Sequence, residues 1–438
     1  MILLKGGRVI SFTNKDEFIN DELDVLLENN KIKKIDKNIY PEKDCEVVDV
    51  SGKLIIPGFI QPHVHLCQVL FKGSADDMEL LDWLKKRIWP LEAMHTDETI
   101  DISSKMGLCE LISGGTTTIV DMGTVKHTDI IAENLIKSGI RAFFGKTMMD
   151  KCDLPDYIRE NAKSSLDESV QLFKKYHNSG NERIKYAVSP RFAVSCSVDL
   201  MVQASEFANE NKLIYHTHAS ENRKEVEIVK EAFGVRNIEF FEKYKIAGPN
   251  LLLAHCIWVD ENEIDMIKDY GINVAHCPSA NLKLASGIAP IPTYLNRKIK
   301  VGIGADGAPC NNNLSMFKEM KLAALIQKPI HGPTVMNAYE VFRMATLGGA
   351  ETIGLEKEIG SIEEGKKADI VIMNLNLFNS SPYFDPVSSI VYSCSFSNID
   401  TVIIDGKTIY KDKKFNTLET EGLVEKANEK LREMVGKL

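Results

Sequence analysis

The sequence predicts an α/β protein: a TIM-type (β/α)8 barrel with a small β-sandwich domain built from both chain termini. Three observations predict it. Eight short apolar runs recur through the middle of the chain. Helix-like segments fill most of the intervals between them. Both ends of the chain read instead as short strands joined by turns.

The runs, in order, are KLIIPGFIQPHVH, GGTTTIVDM, RAFFGKTMM, IKYAVSP, KLIYHTH, NLLLAHC, GINVAHCP and KVGIGAD. A helical stretch, LLDWLKKRIWPLE, follows the first. ENRKEVEIVKEAF and DENEIDMIKDY fill later intervals. Near-continuous apolar character suits parallel strands covered on both faces. A doubly wound sheet is the alternative, but it does not need eight such units. At the ends, MILLKGGRVISF, KKADIVIMNL and NIDTVIIDGKTIYKDKK suit strands and hairpins, with DGK as a turn. TEGLVEKANEKLREMVGKL has helical periodicity. The expected division is residues 1–55 for the first part of the sandwich, 56–360 for the barrel and 361–438 for the remainder plus a terminal helix.

Composition narrows the classes. The 438 residues carry a formal net charge of −9 and no long basic cluster, which argues against a nucleic-acid partner. No charged start leads into a signal-like apolar run, and no window approaches the length of a membrane span. Nine scattered cysteines without CxxC spacing suit reduced thiols in a cytoplasmic protein.

In a barrel of this type, chemistry gathers at the carboxyl ends of the strands. The first strand ends in HVH, with His63 and His65. Residues two apart on a strand face the same way, so two imidazoles can share one ion. The fifth ends in HTHASE, with His216, His218 and Glu221. The sixth ends at His255 and the eighth at Asp306. Imidazoles and a carboxylate recurring at one end of four strands point to a divalent metal, zinc by default and iron as the other option. Such an ion acidifies a bound water and makes a hydroxide nucleophile. Glu221 suits a general acid–base, or a favourable charge before the helix that follows.

The motifs PGFIQPHVH, HTHASENRKEVE, LLAHC, HCPSANLKLASG and GIGADG resemble those of the amidohydrolase superfamily. The resemblance runs from about residue 50 to 410. It is nearest to the mononuclear branch of guanine deaminases, adenosine-type deaminases and triazine hydrolases. It implies a hydrolase acting on carbon–nitrogen bonds of a cyclic amidine, with one metal per chain held by His63, His65, His218 and Asp306. It implies that Glu221 protonates a ring nitrogen and that His255 holds the hydroxide. Asp306 would also take the proton from the water. His216 is no ligand in this pattern and reads as structural. Homo-oligomers are common in the family. A small heteroaromatic substrate is expected, and neither a membrane nor a nucleic acid.

GIGADG also spells a dinucleotide fingerprint, but no helix is expected after it. SPRF stands where binuclear relatives carry a carboxylated lysine, which favours a single metal; Lys146 reads as structural. His276 ends the seventh strand and either lines the pocket or braces a loop.

The substrate signals divide. Gln68 and the pair Arg191–Phe192 resemble the purine-binding residues of guanine deaminases. Glu92 falls where adenosine-type members hold a ribose, and the GADGAPCNNN loop resembles theirs. The expected reaction is removal of an exocyclic amine from a purine-type ring: guanine, 5'-deoxyadenosine, methylthioadenosine or S-adenosylhomocysteine. Hydrolysis of a triazine, or an inert scaffold of the same fold, are the alternatives.

Overall fold

A computed structural model of the chain describes residues 1–437. Eight parallel strands form the barrel: Phe59–His65, Thr116–Met122, Arg141–Gly145, Ile184–Pro190, Ile214–Ala219, Leu251–His255, Asn273–His276 and Val301–Ile303. The ring closes because the eighth strand continues, after Gly304 and Ala305, into Asp306–Gly307. There Asp306 pairs with Val64 and Gly307 with His65 of the first strand.

Alternation along the strands sorts their side chains. Ile60, Val120, Phe143, Ala187, Leu252 and Ala275 form one buried cluster with Ala350, Ile353 and Ile359. Their neighbours in sequence, such as Ile119, Phe144, Val188, Leu253 and Val274, join a much larger cluster with the surrounding helices. Both faces are thus covered, as continuously apolar parallel strands require.

The first apolar run is two strands, not one. Leu54–Pro57 belongs to a second sheet, and Phe59–His65 to the barrel. Gly58 separates them at a place where a Cβ would lie 2.0 Å from Thr117 Oγ1. The second sheet has nine strands drawn from both termini. Leu54–Pro57 sits inside it, between Ile2–Phe12 and Ile370–Met373. A buried bidentate pair ties the two sheets together: Arg141 of the third barrel strand donates to Asp369 at 2.7 and 3.1 Å.

The stretch after the first strand forms a short helix Leu80–Trp83, a π-turn Leu84–Ile88 and a helix Trp89–Ala93. It packs as a separate apolar cluster with Phe192, Leu284 and Cys310. The terminal helix spans Leu423–Val435. Among the described residues no helix is long and apolar enough to cross a membrane.

Candidate active site

Strand geometry brings the histidines together. The pairing of the first strand is irregular between Gln61 and Val64, next to Pro62, which has no N–H to donate. This irregularity lets His63 and His65 both face inward while Val64 joins the outer core. The two rings stand 4.8 Å apart, edge to face. His218 arrives from the fifth strand, its ring 4.8 Å from that of His63 and stacked at 5.4 Å on that of His65. Asp306 arrives from the end of the eighth. One donor atom from each of His63, His65, His218 and Asp306 lies within 4.8 Å of all the others.

Gly304 and Gly307 make that approach possible. A Cβ on Gly304 would sit 2.6 Å from the His63 carbonyl, and one on Gly307 would sit 2.0 Å from Gln68 Oε1. Gly304 therefore serves contact with the first strand, and Gly307 contact with Gln68 just after it, not a dinucleotide. A single helical turn, Ala308–Asn311, does follow the motif, where the sequence reading expects none. Pro309 near its start favours a helical φ, and the turn then stops at Asn312, which has positive φ.

Each of the three histidines is fixed through Nδ1. His65 Nδ1 donates to the Met122 carbonyl at 2.9 Å, and His218 Nδ1 to the Arg191 carbonyl at 2.7 Å. His63 Nδ1 lies 2.8 Å from His216 Nε2. The Nε2 atoms are left for the centre. Those of His63 and His65 are 3.2 and 3.3 Å from Asp306 Oδ1, and His63 Nε2 has no well-aligned hydrogen bond. Burial lowers His63 to about 4 and holds His218 well below the usual imidazole range, so both are neutral near pH 7. Burial pushes Asp306 up, but His63 and His65, whose Nε2 atoms stand beside its Oδ1, outweigh it and hold the carboxylate well below its usual range. Neutral imidazoles, one carboxylate and an unpaired buried nitrogen are the donor set of a borderline divalent ion. The residues fit such an ion.

Two further groups face this cluster. His255 Nδ1 is held by Asn281 Oδ1 at 2.8 Å, and its Nε2 lies 3.5 Å from Glu221 Oε2 and 3.9 Å from Asp306 Oδ2. Glu221 is buried, with Ser286 Oγ 3.5 Å from its Oε1. Burial, then repulsion from Asp306, raises its carboxyl well above the ordinary value. The helix that follows begins at Arg223 and is capped by Asn222 and Glu225. Glu221 thus stands outside the helix, and Glu225 fills the capping place. Ser220, His255 and Asp306, at three strand ends, all have positive φ. Left-handed backbone on such residues costs about 1–3 kcal/mol each and persists where surrounding structure imposes it.

A cavity opens above the cluster. His65, His218, Glu221, His255 and Asp306 line one part of it, and Gln68, Arg191 and Phe192 another. Leu80, Trp83, Leu84 and Leu284 complete the wall. Glu92 is buried behind Arg191 and Gln68. It accepts from Arg191 Nη1 at 2.6 Å and from Gln68 Nε2 at 2.8 Å. Burial raises the Glu92 carboxyl, and Arg191 more than reverses this. Gln68 Oε1 is left without a partner.

His276 is buried with neither ring nitrogen bonded, and it is absent from the cavity wall. Lys146 is wholly buried against Glu160 and Glu168, 2.6 and 3.4 Å away. Sequence reasoning missed the wall residues Leu80, Trp83, Leu84 and Leu284, because apolar residues at helical spacing read as core. It also missed Asn281 as the support of His255. The motif HCPSANLK was visible, but the reach of one asparagine to another strand was not.

A closed parallel barrel that gathers histidines, an aspartate and a glutamate at its strand ends has the architecture of a barrel hydrolase. The chain belongs to the amidohydrolase family, which it matches over residues 54–409. It is 38% identical over 435 residues to a 5'-deoxyadenosine deaminase of Methanobrevibacter smithii, covering 99% of this chain and 98% of the relative. It is 36% identical over 415 residues to a 5-methylthioadenosine/S-adenosylhomocysteine deaminase of Thermococcus onnurineus, covering 94% and 95% of the two chains. Among solved structures it resembles an adenosine deaminase from Xanthomonas campestris with bound zinc, with a TM-score of 0.91 and 26% identity over 100% of this chain and 99% of that one.

Proposed function

We propose that this chain is a zinc-dependent hydrolytic deaminase of adenosine-type nucleosides, preferring those with hydrogen or a small apolar group at the 5' position. The observation that carries the chemistry is the Glu221 carboxyl, buried and biased toward its protonated form, lining one cavity with His65, His218 and Asp306 of the four-residue cluster. The substrate class is supported by the relatives named above, aligned over almost the whole chain.

His63, His65, His218 and Asp306 would hold the ion. When bound, it supplies Lewis-acid chemistry that makes water acidic enough to act as a nucleophile near neutral pH. Asp306, anionic at neutral pH, accepts the proton that the attacking water gives up. His255, its ring fixed by Asn281, orients that water with Nε2. Glu221 donates its proton to the ring nitrogen beside the amine-bearing carbon, which makes that carbon electrophilic. Water oxygen bonds to the carbon and the carbon–nitrogen bond to the amine breaks. The amine takes the proton held by Asp306 and leaves as ammonia, the hydroxyl proton returns to Glu221, and a carbonyl remains on the ring.

Gln68 Oε1, an unpaired buried acceptor, is suited to a sugar hydroxyl. Leu80, Trp83, Leu84 and Leu284 give an apolar surround for the 5' end. One observation favours a second reading, guanine. Arg191 and Gln68 face the cavity beside Phe192, a donor-and-stacking arrangement that also suits a bare purine base.

The test is ammonia release from purified, metal-analysed protein offered 5'-deoxyadenosine, methylthioadenosine, S-adenosylhomocysteine and guanine. Preferred turnover of the first two is expected. Preferred turnover of guanine would replace this reading with the second.

A further inference from the structure

We propose that His216, which is no ligand, is a positioning residue that fixes the tautomer of His63 and thereby the affinity of the metal site. The inference rests on reading His63, His65, His218 and Asp306 as ligands.

The three histidines of the cluster are held differently. His65 and His218 each meet a backbone carbonyl, of Met122 and of Arg191. A carbonyl can only accept, so it forces the ring proton onto Nδ1 and leaves the Nε2 lone pair free for an ion. His63 meets the side chain of His216 instead, Nδ1 to Nε2 at 2.8 Å, with ring centroids 4.9 Å apart and the planes at 84°. Both rings are completely buried. At 2.8 Å one of the two ring nitrogens must donate and the other accept.

A neutral pair of imidazoles sharing one hydrogen bond has two arrangements. In one, His216 Nε2–H donates to His63 Nδ1. The proton of His63 then sits on Nε2, where Asp306 Oδ1 lies 3.2 Å away, and no lone pair faces the centre. In the other, His63 Nδ1–H donates to His216 Nε2. The His63 Nε2 lone pair then joins those of His65 and His218, and His216 carries its own proton on Nδ1, an atom with no partner. Only the second arrangement can bind an ion through all three histidines. The ring of His216 is therefore the one support in the cluster that can be set either way. The binding form requires it to supply the acceptor that a carbonyl supplies elsewhere. Outer partners of this kind typically change metal affinity about 10–100-fold when removed.

The experiment compares the full chain with H216L, which removes the acceptor, and H216Q, whose amide oxygen can reach a similar place. Zinc affinity is read by competition with a chromophoric chelator, alongside melting curves of the metal-free proteins. The expected result is metal-free proteins that all fold, a loss of about 10–100-fold in zinc affinity for H216L, and recovery of most of it in H216Q. H216L binding zinc as tightly as the wild type would overturn the proposal. So would an equal loss in H216Q, or failure of both variants to fold, since either would make His216 a packing residue. A wild-type chain that takes up no stoichiometric zinc would overturn the ligand reading itself, and that result is visible before any variant is made.

Discussion

Arg191 grips Glu92 by two hydrogen bonds, Nη1 to Oε2 at 2.6 Å and Nη2 to Oε1 at 3.2 Å, with both side chains buried at the edge of the cavity. Gln68 donates to the same carboxylate. The three residues that gave opposing signals about the substrate are one hydrogen-bonded unit. Arg191 is also the only cation on the cavity wall among the described residues, and Glu92 already neutralises it.

Removing one partner leaves the other charge buried and unpaired, which costs about 3–5 kcal/mol. R191M is therefore expected to lower stability by that order in urea unfolding. The double variant R191M/E92Q should recover much of the loss, because no lone charge remains. Additive losses would mean that the two side chains do not couple.

The neutralised arginine also bears on selectivity. S-adenosylhomocysteine carries a charged amino-acid tail, and the wall beyond Arg191 offers it Leu80, Trp83, Leu84 and Leu284. Desolvating those charges without partners is costly. Its kcat/KM is expected to fall at least about tenfold below that of 5'-deoxyadenosine, equivalent to about 1.4 kcal/mol. Steady-state kinetics on the two nucleosides checks this.

Glu221 gives a pH dependence whose sign follows from its environment. Burial and Asp306 raise its pKa, so the folded site keeps the proton to a higher pH than a free carboxyl would. Catalysis that spends this proton must weaken as pH rises through the raised value. E221Q is expected to lose about 10²–10⁴ in kcat and to lack that basic limb. A pH–rate profile of both proteins tests it.

Chelation should abolish turnover, and added zinc should restore it. Because an ion held by four folded-state residues does not bind the unfolded chain equally, the melting temperature should rise with free zinc concentration. Calorimetric scans at several zinc concentrations measure the slope.

Gly304 passes so close to the first strand that a Cβ would meet the His63 carbonyl at 2.6 Å. The obstacle is backbone, which cannot swing aside. G304A is expected to cost about 1–3 kcal/mol and to weaken metal binding with it, since His63 would move. Denaturant midpoints and zinc titration report the two effects separately.

Much of this was already fixed in the amino-acid order. Eight apolar runs dictated parallel strands, because only strands covered on both faces need such runs. HVH, HTH, LAHC and GAD placed donors at strand ends, and period-two geometry with barrel topology aims such ends at one point. Sequence alone did not reveal that the first run divides at Gly58 or that a helical turn follows GIGADG. Nor did it show that His216 supports His63, that Asn281 supports His255 or that Glu92 stands behind Arg191. Each of these depends on the spacing between strands distant in sequence. A hydrogen bond is decided over tenths of an ångström. Periodicity fixes which face a side chain takes, and only the packed barrel fixes which atom it meets.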